Sequence, residues 1–366
     1  MTPETTGNGR QKEGAGSPEH SVVIGLNAAI IAVWRETPHV LVVRRPLLPD
    51  SGAPEAVPEA VPQDDSFGLP FGPFDPALHR TLEIGLRSWV EEQAGLTVGY
   101  VEQLYTFGDR GRYTVTPGAP RVVSVGYLAL TRPPERSFAP GSAWHDWYRY
   151  FPWEDWRGGK PAAIDDIIVP RLEDWADAAT SRAQGERRRD RARLCFGLGG
   201  LPWDEEKVLE RYELLYEARP VAEAPRDERR RSAEYPELFP DGAAPPAGEP
   251  DLPDLGAPMQ FDHRRILATA MSRLRGKLKY RPLVFELMPE MFTLLELQRT
   301  VEAISGTRVH KQNFRRLVER SGLVERTGRM VTGTGGRPAE QFRFRREVLR
   351  ERPAPGVRLS PARVTQ

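Results

Sequence analysis

The chain has 366 residues, 39% of them hydrophobic and 28% charged, with 52 Lys+Arg against 51 Asp+Glu. That length exceeds the usual single domain and suffices for two cores, and no apolar run approaches the roughly 20 residues of a membrane span, which excludes a helical membrane protein. A single cysteine, Cys195, excludes an internal disulfide and a cysteine cluster for metal; it fits a reducing cytoplasm and is expected as a buried small hydrophobe.

Residues 1–20 are rich in Gly, Glu and Thr without an apolar core, and read as a disordered tail, neither secretory signal nor anchor. Val22–Trp34 is apolar and β-rich, and His39–Arg45 reads as a second strand after the turn Arg35-Glu36-Thr37-Pro38. Residues 46–66, with a doubled Pro-Glu-Ala-Val, read as a surface insertion. Leu69-Pro70-Phe71-Gly72-Pro73-Phe74-Asp75-Pro76 leads into a helix from about His79 to Ala94, closed by Gly95 and Leu96. Strand patterns return at Tyr100–Phe107 and Arg121–Leu130. Between them, Phe107-Gly108-Asp109-Arg110-Gly111-Arg112 is a glycine-containing loop with two guanidinium groups. Arginine forks suit bidentate contact with phosphate, so Arg110 and Arg112 are candidate ligand-binding residues, followed by Arg44 and Arg45 at the end of the second strand. An ordinary polar turn is the competing reading.

From Trp144 to Trp156 the chain is heavily aromatic, a density that more often packs a core or interface than stacks on bases. Ile164–Arg193 reads as one helix, with Ile168, Leu172 and Trp175 on one side and the basic run 187–193 as a solvated face. A second amphipathic helix spans about Asp204 to Glu217 through Val208, Leu209, Tyr212 and Leu215. Residues 219–258, rich in Pro, acids and Arg, read as a linker.

Phe261 to Phe344 carries a complete, ordered pattern. Asp262 is placed to cap a helix with Ile266, Ala270 and Leu274 on one face. Thr293-Leu294-Leu295-Glu296 forms a capping box ahead of Leu297, Val301 and Ile304, and Ser305-Gly306-Thr307 stops that helix. A helix over Val309–Ser321 then buries Phe314, Leu317 and Val318, and turns His310, Lys311, Gln312, Arg315, Arg316 and Arg320 outward. Two helices around a short Gly-containing turn read as helix-turn-helix. Gly322–Arg326, the Gly-rich 333–338 and Gln341–Phe344 read as a wing bearing Arg326, Arg329, Arg337 and Arg343. Charge divides the chain at the same place: residues 261–352 hold 21 Lys+Arg and 10 Asp+Glu, or +11, leaving 31 and 41, or −10, for the rest. Such asymmetry points to a nucleic-acid-binding module tied to something else. Arg outnumbers Lys 46 to 6, a bias ascribed to genomic base composition, so Arg abundance alone is not evidence. The outward residues suit phosphates and guanine edges, which makes His310, Lys311, Gln312, Arg315, Arg316 and Arg337 the candidate DNA-binding residues.

Phe261-Asp262-His263, Arg273-Leu274-Arg275-Gly276-Lys277-Leu278, Phe292–Gln298, Lys311–Arg316 and Gly336-Arg337-Pro338-Ala339 together resemble the C-terminal domain of Nudix-related transcriptional regulators. That family joins a Nudix-fold sensor to a winged helix, which directs attention to residues 69–96. There Arg87, Glu91, Glu92 and Gly95 resemble a worn Nudix box, whose stacked carboxylates hold divalent metal against a diphosphate. Ser88 stands where a Glu belongs, Leu78 or His79 replaces the earlier Glu, and one extra residue separates Glu92 from Gly95.

The resemblance implies an α+β chain: a Nudix fold (an α/β/α sandwich) over 21–142, an aromatic-rich helical extension over 143–218, a linker over 219–258, a C-terminal winged helix-turn-helix over 259–352 and a disordered tail from 353. It further implies a repressor of NAD-metabolism genes that senses NAD, ADP-ribose, ATP or a related nucleotide. No cofactor, catalytic residue or metal ligand is expected, and the partner is operator DNA, bound by a homodimer. The long insertion and eroded box place the chain nearest to the NadQ-type members. Two other readings stand beside it: an active nucleotide-diphosphate hydrolase with an accessory DNA-binding domain, and a scaffold whose winged helix binds protein.

Overall fold

An unbroken apolar run from Ala28 to Val33 sets the architecture, because a strand buried on both faces has no solvent side toward which to alternate. In the computed structural model, which describes residues 22–44, 67–109, 121–133, 141–234, 253–332 and 338–351, this run lies in β1 (Val22–Trp34). The other strands of its sheet are β2 (Thr37–Val43), β3 (Phe71–Pro73), β4 (Tyr100–Phe107), β5 (Arg121–Leu130) and β6 (Ser142–Asp146). Their order is β4-β5-β1-β2-β6, with β3 on β1. β1 runs parallel to β5, from Val22 opposite Arg121 to Ile31 opposite Leu130, and the other pairings are antiparallel.

Period-two alternation then assigns the faces. Leu26, Ala28 and Ile30 pack with Leu86, Trp89 and Val90 of α1 (Leu82–Ala94). Ala29, Ile31 and Val33 join a second core on the opposite face. α1 begins later than the sequence predicts: the Thr81 side chain accepts the Ile84 N–H as its cap, and His79 sits in the preceding turn with its ring accepting the Asp75 N–H.

The extension is built from aromatic burial. Trp147, Tyr150, Phe151 and Trp153 are almost wholly enclosed. Beyond them a π-turn at Ile164–Ile168 enters α2 (Val169–Asp177), followed by α3 (Arg182–Phe196) and α4 (Val208–Ala218). The single helix expected over Ile164–Arg193 is therefore broken. Ser181 caps a new helix through the Gln184 N–H, and Gly185 lets the two helices close, since a Cβ there would lie 3.0 Å from the Ala176 carbonyl oxygen. Its basic run is engaged within the extension: Arg188 lies over the Trp175 ring at 4.4 Å, Arg189 pairs with Glu173 and Asp177 of α2, and Arg191 pairs with Glu217 of α4. Cys195 is only partly buried and packs at the edge of the core; burial pushes its thiol pKa up.

The stretch expected as a linker also departs from its composition. α5 (Glu223–Glu234) forms within it, with Val221, Glu223 and Ala224 buried. The Glu223 carboxylate accepts the Met259 N–H at 3.1 Å and pairs with Arg264 at 3.1 Å, both partners 0% exposed. A charge-rich segment reads as solvated when its partners, here 36 and 41 residues on, lie far away in sequence.

α6 (His263–Leu278) covers the second face of the sheet, so the first helix of the C-terminal pattern also completes the α/β/α sandwich. Its Ile266, Leu267 and Ala270 are buried, and His263 Nδ1 accepts the Leu69 N–H at 2.9 Å. Asp262 occupies the position before the helix without making a side-chain cap bond. The winged helix follows as β7 (Phe292–Thr293), α7 (Leu294–Ser305), α8 (Lys311–Ser321), β8 (Val324–Val331) and β9 (Ala339–Phe344), with sheet order β7-β9-β8. One apolar cluster runs from Ile31 through Trp153, Ile266 and Leu297 to Phe314. Removing one partner of a buried ion pair costs about 3–5 kcal/mol. Glu223→Ala is therefore expected to lower stability to urea by about 3 kcal/mol, and an unchanged unfolding midpoint would show that α5 is not docked.

Candidate nucleic-acid interface and sensor site

The helix-turn-helix is assembled from short-range chemistry. Thr293 caps α7 and accepts the Glu296 N–H, while the Glu296 carboxylate accepts the Thr293 N–H, closing the expected capping box. Gly306 ends α7 with φ +74. Phe314 and Val318 bury one face of α8, with Leu317 half-buried beside them. Rotation is thereby fixed, and His310, Lys311, Gln312, Arg315, Arg316 and Arg320 are all exposed. The start of α8 is held by residues not singled out in the sequence: buried Glu302 accepts the Val309 N–H and pairs with Arg308, and Gln298 bridges Glu302 to the Val309 carbonyl. Their signal was present as two polar residues on the apolar face of α7.

Charge accounting changes the meaning of the basic C-terminal half. Along α6, Arg264 pairs with Glu223, Arg265 with Glu213 and Asp109, and Arg275 with Glu154. Arg273 and Lys277 both reach Glu102, and Lys279, just past the helix, pairs with Glu205 and Glu206. Much of the +11 excess thus neutralises acids of the N-terminal half. On the wing, Arg326 pairs with Glu340 and Arg343 with Glu325. Among the described residues, Lys311, Arg315, Arg316 and Arg320 of α8 have no acidic partner. Arg329 is likewise exposed, carried on a bulge where Gly328 has φ +73 and Thr327 Oγ1 accepts the Arg329 N–H. Arg337 lies outside the described residues.

The worn box keeps its packing. Trp89 Nε1 donates to the Pro73 carbonyl at 2.8 Å, and a Cβ on Gly72 would run into the Trp89 ring. Buried Gln93 bonds both the N–H and the carbonyl of Phe71. Arg87 pairs with Glu83 and donates to the Val98 and Gly99 carbonyls, which makes it a tie between the helix and the loop after it. Ser88 donates to the Ile84 carbonyl, and Glu91 and Glu92 are exposed. Ser88 shares a helical stripe with Glu92 and turns its hydroxyl to its own backbone. Among the described residues, no group of three or more His, Cys, Asp or Glu is placed to hold a metal ion.

Of the four candidate ligand residues, Arg45, Arg110 and Arg112 lie outside the described residues. Arg44 is exposed, with its guanidinium 5.4 Å from the Phe67 ring centroid. Asp109, at the entrance to the Arg110–Arg112 stretch, pairs with Arg265 of α6 at 2.7 Å.

Residues 284–344 match the family model of the NrtR DNA-binding winged helix domain. The chain is 43% identical over 86 residues to the "ADPR responsive transcriptional repressor NtrR" of Acinetobacter baylyi, a match over 24% of this chain and 34% of that protein, so it spans about a third of the relative's length. Among solved structures, Shewanella oneidensis NrtR complexed with a 27mer DNA aligns with 89% of this chain and 94% of its own, at 19% identity and TM-score 0.47. A MutT/nudix family protein from Enterococcus faecalis aligns with 89% of this chain and 87% of its own, at 13% identity and TM-score 0.44.

The pairing pattern separates cations open to phosphate from those already engaged. Arg315→Ala is expected to cost about 1–3 kcal/mol in affinity for a cognate duplex, as loss of a base contact does. Arg343→Ala, paired with Glu325, is expected to change affinity by less than about 0.5 kcal/mol. Fluorescence anisotropy on both variants checks the order, and equal losses would refute it.

Proposed function

We propose that this chain, whose residues 284–344 match the NrtR DNA-binding winged helix domain, is a ligand-responsive transcriptional repressor of NAD-metabolism genes. The observation that carries the reading is the exposed set Lys311, Arg315, Arg316 and Arg320 on α8, none paired with an acid among the described residues, on a winged helix whose other cations are largely paired. Lys311, Gln312 and Arg315 lie near the start of the helix that enters the major groove in this architecture, and Arg316 is assigned to the backbone. A homodimer would set two such helices on half-sites about one helical turn apart, giving a palindromic operator.

The sandwich domain is proposed as the sensor of an NAD-related nucleotide, with ADP-ribose the first candidate because the Acinetobacter baylyi relative is named for its response to it. The anionic part of the ligand is assigned to Arg110 and Arg112, with Arg44 and Arg45 as secondary contacts. This assignment is supported by the Asp109–Arg265 pair, which ties the entrance of that loop to α6 and so to the reader. A ligand shifts such an equilibrium only through unequal affinity for the DNA-competent and incompetent states.

Diphosphate hydrolysis is not part of this proposal. Glu91 and Glu92 with Ser88 do not fit a divalent metal cage, since the third carboxylate is missing and the two that remain face solvent. ADP-ribose is therefore expected to raise the thermal midpoint and change operator affinity by about 5- to 150-fold, the usual span of allosteric coupling. With Mg²⁺ or Mn²⁺ it is expected to remain intact by chromatography. Arg110→Ala and Arg112→Ala are expected to weaken its binding by about 1.5–3 kcal/mol, the worth of a hydrogen bond to a charged group, with unliganded DNA affinity retained. Turnover abolished by the Glu91→Gln, Glu92→Gln double variant would favour the hydrolase reading instead. Duplex binding without salt dependence would favour a protein-binding winged helix.

A further inference from the structure

Resting on the reading of a sensor coupled to a DNA reader, we propose that Trp147–Arg157 is a positioning element that ties the helix-turn-helix turn to the sensor sheet and carries the effector response between them. The segment follows β6 directly, and β6 is the edge strand beside β2. Its residues grip the last turn of α7 and the turn between α7 and α8. The Tyr148 hydroxyl donates to the Ala303 carbonyl at 2.7 Å, and the Trp156 N–H donates to the Gly306 carbonyl at 2.7 Å. Gly306 allows this approach, since a Cβ there would run into the Glu154 carbonyl oxygen.

Beneath the turn, Glu154 is fully buried between two arginines, Arg211 of α4 at 2.6 Å and Arg275 of α6 at 2.6 Å. Burial works to raise the Glu154 pKa, but Arg211 and Arg275 outweigh it and hold the carboxyl below its ordinary range. Arg275 also donates to the Ile304 carbonyl at 2.9 Å, one residue before the end of α7. Such a cluster is a weak source of net stability, because desolvating three charges offsets their attraction; what it supplies is a single permitted geometry. The last residue of the segment is anchored back on the sheet domain. Arg157 donates to the carbonyl of Glu36 at 2.5 Å, at the tip of the β1–β2 hairpin, where Arg35 and Glu36 have φ +48 and +61. The Glu36 carboxylate in turn pairs with Arg299 of α7. A shift of β6 thus reaches the Gly306 turn through one packed segment with few alternative arrangements, and a shift of the hairpin reaches it through that segment and through the Glu36–Arg299 pair.

The test uses the full chain, an operator duplex and ADP-ribose. Tyr148→Phe keeps the packing and removes only the hydroxyl that holds Ala303; Glu154→Gln weakens the hold on Arg275. Both are expected to keep the ADP-ribose rise in thermal midpoint and to bind unliganded DNA within about threefold of wild type. The effect of ADP-ribose on DNA affinity is expected to fall from its wild-type value to less than about twofold. A wild-type response in Tyr148→Phe overturns the proposal, as does a parallel loss of folding, ligand binding and DNA binding in that variant. If Glu154→Gln does not fold, Tyr148→Phe decides alone. Failure of the wild-type chain to bind duplex, or to respond to ADP-ribose, overturns the functional reading itself and this inference with it, and is seen before any variant is made.

Discussion

α6 is the constraint on which the rest of the structure depends. One side of this helix supplies Ile266, Leu267 and Ala270 to the sheet, which would otherwise leave the faces of β1 and β5 bare. Its cations meet acids from β4, the aromatic segment, α4 and α5. A helix held by apolar burial on one side and by ion pairs distributed around it has little freedom to slide. The β1–β6 sheet and the winged helix therefore share a wall, and the opposite net charges of the two halves are the two sides of an internal interface.

That arrangement explains which parts of the chain were legible in the sequence. Local chemistry was readable: the Thr293–Glu296 box, the Gly306 stop and the Phe314–Val318 spacing each act within one helix, and each stands where the pattern placed it. β1 was readable from its length and apolar continuity. Charge partners were not, because composition records how many cations a segment holds and nothing about the acids they meet. Arg264 and Arg275 counted toward a DNA-binding surface, yet both are buried against Glu223 and Glu154. α5 was hidden for the same reason, its charges reading as solvated until Met259 and Arg264 supply their partners. The break before α3 depends on Ser181 acting as a cap, a role that serine takes only where the backbone has already left the helix.

The eroded box separates two demands that a catalytic motif places on one helix. Gly72, Trp89 and Gln93 serve packing against β3, and Arg87 fastens the helix to the chain after Gly95; all of these contacts are made. The carboxylates of such a motif serve metal, and their stripe on α1 faces solvent, where Ser88 and Glu92 bear no structural load. Exchanging Glu for Ser at such a position costs the fold almost nothing, since exposed helix positions tolerate substitution within about half a kcal/mol. The packing of such a helix and the carboxylates on its exposed stripe are therefore independent of one another.

The same separation bears on how a chain of net charge +1 can present a strongly basic face. Exposed charges farther apart than about 8–10 Å are largely screened at physiological salt, so the total matters less than the local sign. On α6 each guanidinium or ammonium has a carboxylate within 4.0 Å, and the pair contributes little field outward. On α8 the four cations project from one short helix among Gln312 and Asn313, with Glu319 as its sole acid. Phosphates approaching that face can replace water around cations that have no internal partner to give up. Cations locked in pairs would have to break a bond first. On the proposed function, affinity for DNA would therefore concentrate on the element whose charges the fold leaves unpaired, and the acids elsewhere in the chain would not oppose it.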